Sequence, residues 1–344
     1  MEVVSAVQDF GLPVPAGRAV VMFDFMKPVL TKKSNIVMFK THKTASTSLG
    51  SILFRFGARH GRRFLIGDEH YTQLRDADTF RLGGHMHINH HVLETLTPDQ
   101  IGAFYSRFIP NPTFISIVRH PRERYLSAYK YFWEPFYGNK FNIFLGDQRY
   151  INQQSRDFGI HNATVMNNFL APGGFLSKMG PVLITERFDE SLVLMKRAFG
   201  WEMHDLLYIR LLDSCNSLRN HAGKLVKCDP PSEAQLPAYS ARIDQNNDLD
   251  TILYDVMVKR HEDEVRKQDS SFAEEVELLK RLREKLSDYC RSEAILFNAN
   301  REQFMQSITF CTQYVLDDLV YGDIIRRGGG TVQWILPGGP VQLD

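Results

Sequence analysis

A polar loop that could bind an anion follows the first apolar run of the chain. The run covers 35–39 (NIVMF), and the loop consists of Lys40, Thr41, His42, Lys43, Thr44, Ala45, Ser46, Thr47 and Ser48. At a strand-to-helix turn, backbone N–H groups and the positive end of the helix can hold a phosphate or sulfate group. Hydroxyl side chains at 44 and 46–48 add donors, and Lys43 adds a mobile positive charge. The alternative is a hydroxyl-rich helix cap with a solvated lysine.

This loop differs from the Walker A sequence of ATPases and kinases. The pattern GxxxxGK[ST] is absent, and no glycine lies between Lys40 and Leu49. An ordinary ATPase or nucleotide kinase is therefore disfavoured.

A second candidate anion site pairs an arginine with a serine eight residues later along the chain. Arg119 directly follows the apolar run 113–118, and Ser127 lies two turns into the helix that we expect to follow. A guanidinium group at the carboxyl end of a strand can present its planar fork to a phosphate. The serine hydroxyl can add a donor from the same side. The alternative is a surface ion pair between Arg119 and Glu123, with a solvated serine.

Four histidines lie within seven residues, at His85, His87, His90 and His91. A metal site is one interpretation, because histidine is the commonest metal ligand, although HExxH is absent and no carboxylate partner is evident nearby. An inert, solvated loop is the second. The third is acid–base chemistry, because a neutral imidazole with an ordinary pKa can accept a proton from a hydroxyl group.

Three strand–helix alternations would position these groups. Apolar, β-rich runs cover 35–39, 113–118 and 181–185, and a helical pattern follows each run. This alternation predicts an α/β fold, with a central parallel sheet, P-loop-like phosphate-binding turns and flanking helices. Glu186, after the third run, could contact an acceptor or Lys40, or it could form an ion pair or a helix cap.

The domain organisation is predicted from changes in periodicity along the chain. We expect an irregular lead-in over 1–34, one domain over 35–320, and a loose, glycine-rich tail over 321–344. Within the domain, 245–320 is expected to be mainly helical. The segment 137–175 is rich in Asn, Gln and Gly with weak periodicity, and it is predicted to be a long surface excursion.

Charge and hydropathy limit the classes of partner. The net charge is +1, which gives no argument for nucleic acid or for an anionic membrane surface. No stretch reaches the ~20 uninterrupted apolar residues that a membrane-spanning helix needs, and 1–34 lacks the order of a signal peptide. We therefore expect the chain as written to be soluble. The oligomeric state cannot be predicted from these features.

The four cysteines are Cys215, Cys228, Cys290 and Cys311. Their spacing fits no zinc pattern, and it leaves open either two disulfides or four reduced thiols. A glycosylation sequon begins at Asn162, and it has meaning only in a secreted protein.

Four segments, in order, resemble the galactose 3-O-sulfotransferases, a family that includes the galactosylceramide sulfotransferases. They are FKTHKTASTS with ILFRFG over 39–57, GHMHIN over 84–89, IVRHPRERYLSAY over 117–129, and TERFDESLVL over 185–194. The similarity extends from about residue 35 to about residue 320.

The resemblance implies a sulfotransferase that uses 3′-phosphoadenosine 5′-phosphosulfate (PAPS) and no metal. The loop 40–48 would bind the 5′-phosphosulfate, and Arg119 with Ser127 would bind the 3′-phosphate. Lys43 would stabilise the leaving oxygen, and His85 aligns with the proposed catalytic base. The acceptor would be the 3-hydroxyl of galactose in a glycolipid or glycan.

The resemblance also raises three further expectations. His42 is a second basic candidate, expected to orient the loop, and His87 stands where relatives often carry arginine. Relatives are type II membrane proteins of the Golgi, so a lumenal Golgi location is implied, although 1–34 contains no anchoring helix. Two alternatives remain: a glycosaminoglycan O-sulfotransferase acting on uronic acid or hexosamine, and a catalytically silent protein that binds the nucleotide product PAP or a glycan.

Overall fold

The computed structural model of the chain describes 35–60, 62–65, 85–89, 96–106, 109–138, 140–209, 237–292, 311–316 and 321. For 85–89 it describes the backbone alone. The predicted lead-in over 1–34 lies outside these residues, as does 322–344 of the predicted tail.

A five-stranded parallel sheet forms the centre of the fold. Its strands are β1 (Ile36–Phe39), β2 (Arg63–Leu65), β3 (His85–Asn89), β4 (Thr113–Val118) and β5 (Met179–Ile184), in the order β2-β3-β1-β4-β5. Every neighbouring pair is parallel. The predicted α/β fold with a parallel sheet is therefore confirmed.

The strand order reverses between β1 and β4. From β1 the chain runs to the β2 edge and returns through β3, whereas from β4 it continues outward to β5. The connections that leave β1 and β4 therefore diverge to opposite sides. In open parallel sheets, ligands bind outside the carboxyl ends of the strands at such a reversal of strand order.

Helices account for most of the remaining described chain. They are α1 (Ser46–Arg59), α2 (Pro98–Ser106), α3 (Pro121–Ala128), α4 (Glu134–Tyr137), α5 (Phe141–Phe144), α6 (Gln153–Asp157), α7 (Ala163–Leu170), α8 (Phe175–Lys178), α9 (Phe188–Phe199), α10 (Pro237–Asn246), α11 (Asp248–Arg266), α12 (Ser271–Tyr289) and α13 (Thr312–Val315). A π-helix covers Tyr129–Trp133, and 3₁₀ turns cover Gln148–Tyr150, Thr185–Arg187 and Met203–Leu206.

Strand β1 separates two apolar layers, because successive side chains of a strand point to opposite faces. Ile36 and Met38 belong to a core cluster that includes side chains of α1, α9 and α12. Val37 and Phe39 belong to the opposite cluster, with side chains of α2, α7 and α11. Both faces of the strand are buried, which explains why its sequence is a continuous apolar run.

The part predicted to be mainly helical, 245–320, includes two long helices, α11 and α12. A turn separates the two helices. In this turn the Asp269 carboxylate accepts hydrogen bonds from the backbone N–H of Ser271 at 3.0 Å and from its hydroxyl at 2.6 Å. The Asp269 side chain thus closes the turn before α12, and this turn contains neither glycine nor proline.

The prediction that 137–175 is a surface excursion is wrong. The segment contains three short helices, α5 to α7, and its aromatic side chains Phe144, Phe158 and Phe169 are buried in the core. Gln154 and Ser155, which are polar, have no exposed surface. Phe158 and Phe169 anchor the segment to the apolar cluster that contains β1, whereas Phe144 packs with aromatic side chains of α3 and the π-helix.

A disulfide joins Cys290, which follows α12, to Cys311, which precedes α13, and both residues are buried. Cys215 and Cys228 lie outside the described residues. In the described ranges, no helix combines the length and apolarity that a bilayer crossing requires. The sequon residue Asn162 caps α7, where its side chain accepts a hydrogen bond from the backbone N–H of Val165 at 3.0 Å.

Candidate active site

The loop between β1 and α1 has an unusual backbone. Lys43 and Ala45 both have φ of 61°, in the left-handed region, although neither is a glycine. Such a conformation costs a non-glycine residue about 1–3 kcal/mol, and it persists only where the surrounding contacts enforce it. Strain of this kind is concentrated at ligand-binding and catalytic sites.

Hydroxyl groups within the loop hold this backbone in place. The Thr41 hydroxyl donates to the carbonyl of Ile117 in β4, and the Ser46 hydroxyl donates back to the Thr41 carbonyl. The Thr44 hydroxyl lies 2.6 Å from the Thr41 hydroxyl oxygen. Thr185, after β5, places its hydroxyl 2.7 Å from the Thr44 carbonyl oxygen. These groups therefore shape the loop, a role that the sequence did not indicate.

The start of α1 leaves donors directed out of the loop. In the described chain, no protein acceptor binds the backbone N–H groups of 43–48, and the first helical bond runs from the N–H of Leu49 to the carbonyl of Ala45. The hydroxyls of Thr47 and Ser48 also make no hydrogen bond there. Whether these groups bind an anion stays a prediction.

Lys43 lies on an aromatic surface formed by the π-helix. Its Nζ is 3.6 Å from the ring centroid of Tyr131 and 5.8 Å from that of Phe132. Burial, followed by the positive charges of Arg119 and Lys40, lowers the pKa of Lys43 to about 7. A nearby anion would favour the charged form of this lysine.

His42 is held by a carboxylate from α6. Its backbone N–H donates to Asp157 Oδ2 at 2.7 Å, and its Nδ1 lies 2.8 Å from Asp157 Oδ1. Both side chains are almost fully buried. The predicted role of His42 in orienting the loop has this contact as its physical basis.

Arg119 lies at the carboxyl end of β4, beside the loop. Its Nη1 is 3.4 Å from the carbonyl oxygen of Lys43. Its backbone is held by Gln154, whose Oε1 accepts from the Arg119 N–H at 2.7 Å and whose Nε2 donates to the Arg119 carbonyl at 2.9 Å. The alternative ion pair with Glu123 is also present at 3.6 Å, but Glu123 is exposed, and such pairs contribute only ~0–1 kcal/mol.

Ser127 lies in the last turn of α3 with its side chain partly buried, and it makes no hydrogen bond within the described chain. The parallel sheet brings the turn after β1 and the turn after β4 together. The role of Ser127 stays a prediction.

The histidine segment is only partly described. His85 is the first residue of β3, and the register pairs Met86 with Ile36 and Asn89 with Phe39. At ~3.3 Å per residue, the His85 backbone lies about 13 Å along the strand from the edge that carries the loop. His90 and His91 lie outside the described residues. The role of His85 as base stays a prediction, and the backbone does not bring it to the loop edge.

Glu186 has a different partner from those that the sequence suggested. Its Oε1 accepts from the backbone N–H of His120 at 2.9 Å, and its Oε2 accepts from the Tyr254 hydroxyl at 3.3 Å. Arg187 instead forms ion pairs with Glu190 and Glu262. Glu186 thus links the turn after β4 to α11.

A buried ion pair joins α3 to α11. Arg124 of α3 and Asp250 of α11 are both fully buried, with Arg124 Nε 3.5 Å from Asp250 Oδ2. Desolvation raises the pKa of Asp250 and lowers the pKa of Arg124, against their mutual attraction. Arg124 also donates to Gln153 Oε1 and to the Tyr150 carbonyl, at 2.9 and 2.8 Å. No motif in the sequence marks this pair.

Within the described ranges, no group of three or more His, Cys, Asp or Glu side chains could hold a metal ion. The side chains of the histidine segment are outside those ranges.

The comparisons with known proteins identify the family. The model of the family described as galactose-3-O-sulfotransferase matches residues 26–143 and 177–309, and the chain belongs to this family. The bovine protein named galactosylceramide sulfotransferase is 32% identical over 215 residues, covering 52% of this chain and 48% of its own. Human galactose-3-O-sulfotransferase 3 is 26% identical over 266 residues, covering 66% of this chain and 56% of its own.

The chain spans about half the length of the curated relatives it matches. No solved structure shows a significant similarity to it.

Proposed function

We propose that the chain is a PAPS-dependent sulfotransferase that transfers a sulfuryl group to the 3-hydroxyl of galactose in a glycolipid or glycan. The observation that carries the proposal is the contact between the loop after β1 and the turn after β4, where Arg119 Nη1 lies 3.4 Å from the Lys43 carbonyl oxygen. We call the loop 40–48 the loop arm, and Arg119 with Ser127 the Arg119 arm. Membership of the galactose-3-O-sulfotransferase family supports the reaction and the acceptor sugar.

The two arms would bind the two anionic ends of PAPS, the 5′-phosphosulfate and the 3′-phosphate. The N–H groups that begin α1 would bind the 5′-phosphosulfate, because backbone donors and the helix dipole favour an anion there. Arg119 would bind the 3′-phosphate with its guanidinium fork, and Ser127 would add a hydroxyl donor. Recognition of the 3′-phosphate would distinguish PAPS from ATP.

Lys43 would stabilise the departing oxygen. Transfer breaks the bond from sulfur to the oxygen that bridges to phosphorus, and it forms a bond from sulfur to the galactose oxygen. Negative charge then develops on the bridging oxygen, where an ammonium group is most effective in a partly dry site. The proximity of an anionic donor raises the pKa of Lys43 above its ligand-free value of about 7, so the bound enzyme would carry the charged lysine.

A histidine would accept the proton of the galactose hydroxyl. The family resemblance favours His85, whereas the backbone register of β3 favours His42, which lies in the loop itself. The contact with Asp157 Oδ1 supports an Nδ1–H tautomer of His42, in which the lone pair is on Nε2. We rank His42 first on position and retain His85 as the second candidate.

The disulfide is an argument about the cellular compartment in which the protein folds. Structural disulfides persist in oxidising compartments, so the bond between Cys290 and Cys311 supports a lumenal location in the secretory pathway. A Golgi location is part of this proposal.

The proposal is tested by transfer of radiolabelled sulfate from PAPS to galactosylceramide, galactose-terminated oligosaccharides, heparan and chondroitin. Label on the 3-position of terminal galactose is the expected result. Label on the polymers alone would move the protein to the glycosaminoglycan sulfotransferases. Binding of PAP without any sulfate transfer would indicate a catalytically silent nucleotide-binding protein.

A further inference from the structure

Helix α6 (Gln153–Asp157) contacts both candidate phosphate arms at once. Asp157 accepts from the backbone N–H and binds Nδ1 of His42, in the loop after β1. Gln154, three residues earlier, binds both the N–H and the carbonyl of Arg119, after β4. Residues three apart lie on one face of a helix, so a single helical turn links the two loops.

Both ends of α6 are anchored to the rest of the fold. At its start, the buried Asp250 carboxylate accepts from the backbone N–H groups of Gln154 at 3.2 Å and Ser155 at 2.7 Å. At its end, the Phe158 ring stacks on Phe39, the last residue of β1, with ring centroids 5.4 Å apart.

Gly159 ends this turn in the left-handed region with φ of 77°. A Cβ atom at this position would lie 2.1 Å from the carbonyl oxygen of Leu96, so a side chain has no room there. The backbone therefore packs directly against Leu96 where it leaves α6.

We infer that α6 is a positioning element that fixes the two phosphate arms relative to each other, with Gln154 serving the Arg119 arm and Asp157 serving the loop arm. This inference rests on the proposed function for the identity of the ligand. The hydrogen bonds of Gln154 are to backbone atoms, so it orients Arg119 without contacting the donor. Gln154 and Asp157 are therefore positioning residues.

The two arms can be tested separately with two nucleotides. PAP carries the 3′- and 5′-phosphates, whereas AMP lacks the 3′-phosphate, so only PAP uses the Arg119 arm. We expect Gln154→Leu to weaken PAP binding about 10-fold, because two hydrogen bonds to Arg119 are lost, and to change AMP binding less than ~2-fold. We expect Asp157→Asn to weaken PAP and AMP by similar factors, about 5- to 10-fold.

Matched controls exist for both substitutions. Gln100→Leu removes an amide that, among the described residues, binds Thr97 alone, at the start of α2. Asp147→Asn removes a carboxylate that binds Arg149. Both controls should leave the two affinities unchanged. Equal weakening of PAP and AMP by Gln154→Leu would overturn the inference, because it would show general damage rather than positioning of one arm.

A readout without ligand separates this inference from the proposed function. Hydrogen exchange of the backbone amides should accelerate at Arg119 in Gln154→Leu and at His42 in Asp157→Asn, each without change at the other site. If the wild type binds neither nucleotide, the proposed function fails, while this exchange pattern still supports α6 as the link between the loops. Unchanged exchange at both amides would overturn the inference.

Discussion

Asp157 binds His42 twice, through the backbone N–H at 2.7 Å and through the imidazole Nδ1 at 2.8 Å. One carboxylate thus fixes both the path of the loop and the orientation of the ring. Histidine–carboxylate pairs with this geometry hold the ring in one tautomer and stabilise the imidazolium that forms on proton transfer. The pair spans 115 positions in the sequence.

The two candidate bases can be distinguished by substitution. We expect His42→Gln to lower kcat by ~10²-fold or more, because the proton acceptor is lost, and His85→Gln to lower it less than ~10-fold. The measurement is kcat and its pH profile for both variants at saturating PAPS. A larger loss in His85→Gln, with the acidic limb of the profile removed, would identify His85 as the base and contradict the ranking from strand register.

Lys43 should make donor binding depend on pH. The pKa of about 7 in the ligand-free protein leaves the amine mostly neutral at pH 8, and a bound anion favours the ammonium form. PAP binding should therefore take up close to one proton at pH 8 and much less at pH 6, and its affinity should fall as the pH rises above 7.

Calorimetry in two buffers with different ionisation enthalpies measures this proton uptake. Lys43→Met should abolish the uptake, whereas Lys178→Met, at a surface ion pair with Asp99, should preserve it. Equal proton uptake by wild type and Lys43→Met would show that another group titrates.

The buried pair of Arg124 and Asp250 should matter much more for stability than the exposed pair that Arg122, also in α3, forms with Asp244. Asp250→Ala removes the partner of a fully buried guanidinium and leaves the N–H groups of α6 without an acceptor, so we expect a loss of about 3–5 kcal/mol. Arg122 and Asp244 form an exposed pair, and Asp244→Ala should cost less than ~1 kcal/mol.

Urea unfolding of the two alanine variants provides this comparison. Similar free energies of unfolding for both would contradict the assignment of Asp250 as an organising residue of the site.

The disulfide between Cys290 and Cys311 should stabilise the helical part of the domain. The two residues are 21 positions apart, and closing a loop of this length is worth about 3 kcal/mol in the chain-entropy model. Cys290→Ser should lower the free energy of unfolding by roughly this amount, measured by denaturant unfolding under oxidising conditions. Addition of a reductant should lower the wild type to the same value. A wild type that is insensitive to reductant would contradict the role of this bond.

Local patterns in the sequence predicted the framework but not the contacts that complete the site. The apolar runs of β1 and β4 are buried on both faces, so their composition alone indicates a parallel sheet. The order of such strands in a sheet then brings the turns after them together. The long periodic pattern of α11 and α12 was predicted for the same reason, since one face of each helix is apolar.

The short helix α6 could not be predicted in this way. Its five residues, QQSRD, have no periodicity, and the value of Gln154 and Asp157 comes from partners 35 and 115 positions away. The hydrogen bonds of Thr41 and Ser46 could not be predicted for a related reason. Their hydroxyls donate to backbone carbonyls, and whether this loop binds an anion stays a prediction. Tertiary partners decide the use of such polar groups, and composition does not show them.

The most direct test of the central claim is sulfate transfer by the wild type and by Lys43→Ala, with Lys178→Ala as the matched control. The acceptor is a galactose-terminated oligosaccharide or galactosylceramide, and the donor is radiolabelled PAPS. We predict label on the 3-hydroxyl of galactose for the wild type and the control, and a loss of ~10²-fold or more for Lys43→Ala with its folding unchanged. Equal transfer by Lys43→Ala and wild type, or no transfer by a wild type that binds PAP, would contradict the account.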